Sequence, residues 1–189
     1  MNKKEYLFCF VFLLFMAGIF PVSQALSASK NGAEYGTWLE WFEYSGARQY
    51  IIETQPIDLL FKRHFALTSG LIERFSTGED PDGSDEILTK MKSESQALAL
   101  KLKSLSFPDE FDKYQVILLK ICEIDQFVVD SLLQRSIEDA KSYHRELLLL
   151  IIASLKELKT IYTNHKASED IIFDIDSVIF FYNQALSIS

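Results

Sequence analysis

Apolar residues recur along this chain at spacings of three and four. Ile57, Leu60, Phe61, His64, Thr68, Leu71 and Phe75 form a first stripe. Ile87, Met91, Leu98, Leu102 and Leu105 form a second, and Phe111, Tyr114, Leu118, Ile121, Cys122, Val129 and Leu132 a third. Ile137, Ala140, Leu147, Leu148, Ile151, Leu155, Leu158 and Tyr162 line a fourth; Ile171, Ile175, Val178, Tyr182 and Leu186 line the last. This period belongs to amphipathic helices and not to strands. The expected fold is all-α, an antiparallel four- to five-helix bundle joined by short turns.

Turn residues divide the stripes. Gly78, Pro81 and Gly83 break any helix across Ser76–Gly83. Ser106 is a candidate N-cap ahead of Pro108, and Ser136 and Ser168 repeat the cap logic before acidic first turns. Residues 35–54 fit two forms. Tyr35, Trp38, Leu39 and Phe42 suit a helix, whereas aromatic and β-branched residues flanking Ser45-Gly46 suit a hairpin. Helix is favoured, because a lone hairpin has no sheet to join. Gly46 should weaken it, and Pro56 should kink or restart it. Trp38, Trp41, Phe42 and Tyr44 are read as packing residues.

The first 25 residues have a different pattern. Lys3 and Lys4 precede fifteen mostly apolar residues, Tyr6–Phe20, and Ser23-Gln24-Ala25 places small residues where a signal peptidase cuts. The expectation is a signal peptide over 1–25 and a single helical domain over 26–189, exported to the periplasm or released. The membrane would be involved only through that segment, if it stays uncleaved. The apolar run is short of the ~20 residues that span a bilayer, and Cys9 lies inside it rather than after it, which argues against a lipid anchor.

Charge narrows the partners. The formal net charge is −8, one unit more negative without Lys3, Lys4 and Glu5. An acidic chain with no basic patch repels phosphate backbones, so nucleic acid is not an expected partner. Cys122 is the cysteine of the 26–189 segment, which therefore has no internal disulfide.

Catalytic motifs are missing. There is no C-x-x-C-H, no Glu-x-x-His pair, no H-E-x-x-H, no G-x-S-x-G and no glycine-rich phosphate loop. No cofactor is expected. The alternative reading is a haem- or metal-binding bundle using His144 with His64 or Met91. The more specific polar feature is a pair: Asp125 falls in the middle of the third stripe and His144 in the middle of the fourth. Counting outward from the turn at Ser136 brings them to nearly the same level. A buried carboxylate needs a partner, and His144 is the expected one.

The run "LLLLII", Leu147–Ile152, has more apolar residues than one face holds. Leu147, Leu148 and Ile151 point inward on the wheel; Leu149 and Leu150 do not. Phe173 and Phe180 likewise fall opposite Ile171, Ile175 and Val178. Cover from within the chain is expected for Leu150. Leu149, Phe173 and Phe180 are candidates for an interaction surface, facing a protein partner or another copy of the chain. The expected function is that of a non-enzymatic binding, sensor or interaction module.

Overall fold

The computed structural model describes residues 45–165, 167 and 169–188. Among them all regular structure is helical: α1 (Ser45–Ser76), α2 (Ser84–Ser104), a 3-10 turn (Asp109–Phe111), α3 (Asp112–Leu133), α4 (Ile137–Asn164) and α5 (Glu169–Ile188). Residues 1–25, and the aromatic cluster Trp38, Trp41, Phe42 and Tyr44, lie outside the described residues.

The helix ends show why the chain breaks where it does. At the end of α1, Gly78 takes φ 81°. Its N–H reaches Phe75 O, and the Glu79 N–H reaches Arg74 O at 3.0 Å. This is a Schellman closure, which requires a left-handed residue and so favours glycine. The end of α3 closes the same way with Arg135 in the glycine position, at φ 57°. There Ser136 N–H donates to Ser131 O at 2.8 Å and Arg135 N–H to Leu132 O at 3.0 Å. Arginine in this conformation costs what glycine would not. Its guanidinium is engaged in return, bonding Asp80 and Asp85 and lying 4.4 Å over the Phe75 ring.

Two expectations about boundaries fail. Pro56 does not restart a helix, because α1 runs through it as one element of 32 residues. Buried Thr54 donates its hydroxyl to Tyr50 O just before that point. Ser106 is no cap either. The residue before a proline is pushed out of the helical region, and Phe107 accordingly lies outside any helix. Pro108 itself is extended and precedes the 3-10 turn. Ser136 does stand at the start of α4, where its hydroxyl donates to Asp139 at 2.6 Å.

Contacts divide the chain into two units, one spanning Tyr44–Glu157 and the other including Leu158 onward. In the first, neighbouring helices pair antiparallel. Ser95 of α2 meets His64 of α1 and Asp125 of α3, Lys92 meets Asp130, and Phe127 of α3 meets Tyr143 of α4. The core holds Ile57, Phe61, Leu88, Met91, Leu102, Phe111, Leu118, Ile121, Val128, Leu132, Leu147 and Leu148. The α2 stripe is rotated from its expected setting. Ile87 is exposed, and Leu88, Ser84 and Ser95 are buried instead. At one end of this core Tyr50 donates to Gln115 Oε1, and Gln115 Nε2 donates to Leu102 O. One amide thus ties three helices together. In the other unit, Lys159 of α4 pairs with Asp176 of α5 at 2.6 Å.

Candidate functional site

The polar centre of the first unit is built on His64. Its position on α1, one turn beyond Phe61 and one turn before Thr68, faces it inward, and it is fully buried. Asp125 comes to it from α3 and is equally buried. His64 Nδ1 lies 2.8 Å from Asp125 Oδ2, and His64 Nε2 lies 2.9 Å from Glu94 Oε2 on α2. Ser95 donates its hydroxyl to the same Asp125 Oδ2, while Oδ1 of that carboxylate has no protein partner. Glu94 is part-exposed and is shared with Arg63 on the outer side.

The protonation state follows from the donor count. A neutral imidazole has one N–H and one lone pair. Both nitrogens of His64 face carboxylate oxygens, which accept. An imidazolium satisfies both contacts with neither carboxylate protonated. Burial alone would lower the His64 pKa, but hydrogen bonds and charge from Asp125, then Glu94, outweigh it and hold the pKa above its ordinary 6.5. For Glu94, burial raises the pKa and His64 and Arg63 together bring it below its ordinary value.

The expected pair of Asp125 with His144 therefore does not form. Asp125 bonds His64 and Ser95 instead. His144 sits on α4 at the same layer but turns toward α1, stacking on the Phe65 ring at 4.1 Å and 16°. Its Nε2 donates to Phe65 O at 3.2 Å. Burial lowers its pKa, against a smaller upward pull from that carbonyl and from the Asp125 charge. Level in the helix hairpin was legible from counting; direction around the axis was not. Ser95 and Glu94 went unremarked in the sequence. Ser95 stands four residues past Met91 and seven before Leu102, so the helical period itself marks it as inward-facing.

Serine, histidine and aspartate in contact invite comparison with a nucleophilic triad. That chemistry needs aspartate on one ring nitrogen and serine on the other. Here Ser95 stands on the aspartate side, 3.4 Å from Nδ1. Nε2 is taken by Glu94, and Ser95 is fully buried. Both ring nitrogens of His64 are taken up by carboxylate oxygens. Met91 is buried in the core of α2. Among the described residues no group of three or more His, Cys, Asp or Glu is placed to hold a metal ion.

Cys122 lies one turn before Asp125 and is buried. Burial, then the Asp125 charge, pushes its thiol up to about 12, which suits a packing residue rather than a nucleophile.

The candidate surface residues are exposed. In the first unit Leu149 is 51 % exposed and Leu150 is partly covered. In the other, Phe173 is 70 %, Phe180 59 % and Phe181 39 % exposed along α5. Phe173 also borders a shallow groove with Thr163, Ala167, Glu169, Ile172 and Asp176. The chain matches no family model, no curated protein and no solved structure.

Proposed function

We propose that this chain is an exported, non-enzymatic protein of the bacterial periplasm, an antiparallel helical bundle over 26–189 that acts as a binding, sensor or interaction module. In this reading residues 1–25 are removed as a signal peptide. The observation that carries it is the outer face of α5. Leaving a large apolar side chain in water forfeits roughly 1.5–3 kcal/mol of burial. Phe173 and Phe180, two turns apart on one helix face, both forfeit most of it, and their joint exposure is what a partner-facing surface requires. The partner is a protein, with self-association the simplest case. No helix among the described residues is long and apolar enough to cross a membrane.

The test has two parts. Material exported from a bacterium should begin at Leu26; an intact Met1 on membrane-bound material would mean an anchor. The solution mass of the wild type should exceed that of one chain and return to it in Phe173→Ser/Phe180→Ser. A wild type that stays monomeric at high concentration removes self-association through α5.

A further inference from the structure

The His64 centre has a property that the α5 surface does not explain and that does not depend on that surface. His64 is sealed from water, yet each ring nitrogen meets a carboxylate from a different helix. One proton therefore decides how many helices the ring can hold. We infer that His64 is a buried proton latch: with a proton on each nitrogen it ties α1 to α2 through Glu94 and to α3 through Asp125, and loss of one proton releases the middle of α1.

The release follows from the acceptor count. A singly protonated ring donates to one carboxylate and turns a lone pair toward the other. The proton that leaves is the one on Nε2, beside part-exposed Glu94; Nδ1 keeps its proton toward Asp125, where both side chains are 0 % exposed, so the tie to α2 is the one lost. Ser95 can donate to only one atom at a time. The loss of that tie is felt in the middle of α1, since its two ends are held separately. Tyr50 is fixed through Gln115 to the end of α2, and Phe75 lies under Arg135.

The proton has a route to solvent. Glu94 is 26 % exposed and bonded to the ring at Nε2, with Arg63, 51 % exposed, outside it. The latch can therefore exchange its proton with bulk water without prior opening of the core. The other ionisable groups near the ring are each engaged or buried on their own account. From α1, Arg63 pairs with Glu94 on the outer side. From α3, Cys122 holds its proton to about 12. From α4, burial keeps His144 toward its neutral form. Lys92 on α2 is paired with Asp130.

The decisive experiment is nitrogen-15 NMR of the full chain in a His144→Phe/His165→Gln background, where His64 is the remaining histidine. It is combined with amide hydrogen exchange corrected for base catalysis. At pH 6 both ring nitrogens of His64 should carry protons, with a titration midpoint above the ordinary 6.5. Glu94→Gln keeps an acceptor but removes its charge, and should move the midpoint down by about one unit. As pH rises through the midpoint, amides of Ile57–Gly70 should exchange faster while those of Leu118–Leu132 do not. A singly protonated ring at pH 6 overturns the latch, as does a midpoint indifferent to Glu94→Gln. Exchange in α1 that keeps pace with α3 at every pH overturns the release. The first reading needs no altered latch residue, so a misfolded Glu94 variant leaves the proposal testable.

Discussion

His64 precedes Phe65 on α1 and His144 stacks on the Phe65 ring, and the fold treats the two histidines in opposite ways. His64 has lost all its water and is repaid in charge by Asp125 and Glu94. His144 is given a carbonyl and a ring face, neither of which carries charge. The pKa of the first rises and that of the second falls. Burial therefore does not decide a histidine's charge; the charges of the partners admitted with it do.

The two also pull stability in opposite directions with pH. His64, raised, contributes fully below its unfolded value of 6.5 and loses that contribution as pH climbs through its folded value. His144, lowered, contributes fully above 6.5 and loses that contribution as pH falls through its folded value. Glu94, lowered, contributes above 4.5 and loses its share as pH falls through its folded value.

The hardest blow to this contrast is Asp125→Ala, which leaves an imidazolium in the core with one partly exposed counter-charge. It should cost about 3–5 kcal/mol in urea unfolding; a loss under about 1 kcal/mol would mean that His64 is not charged there. Ser95→Ala removes one donor from the same carboxylate and should cost about 1.5–3 kcal/mol, the range for a hydrogen bond to a charged group. Thermal melting should then separate the histidines. In His144→Phe, which keeps the stack on Phe65, stability at pH 8 should change by less than about 1 kcal/mol, and the loss on moving from pH 6.5 toward 5 should shrink. An acid limb as steep as in the wild type would assign that loss elsewhere. The smallest effect belongs to charge at the surface. Arg135→Gly removes the pairs with Asp80 and Asp85, which are exposed and screened by solvent. It also relieves a left-handed arginine by about 1 kcal/mol, so its unfolding midpoint should scarcely move. A large loss would show that the Phe75 contact carries the turn.

The helices themselves were legible because their apolar positions repeat so regularly. Phe111, Leu118, Ile121, Val129 and Leu132 are all buried as the period requires. Asp125 was legible as an inward polar residue for the same reason. Its partner was not, because Asp125 and His64 are 61 positions apart, and no local rule says which neighbouring helix a side chain addresses. Counting from the turn fixed height, and two histidines share that height. Hydropathy also passed over Ser95, since a serine scores as neither core nor surface. Pro56 does not restart the helix for a physical reason: a proline weakens a helix locally, but α1 is held to its neighbours on both sides of it.

Cys122 has a use that its inertness creates. A thiol with its pKa near 12, inside a closed core, is almost wholly unreactive at pH 7 and becomes an ordinary reagent target only while α3 is uncovered. In a chain carrying Cys9→Ser, the rate of its alkylation is therefore a clock set by the protein's own openings. It ticks one helical turn from Asp125, inside the layer whose protonation is in question, so the frequency of opening can be read at each pH without adding a probe.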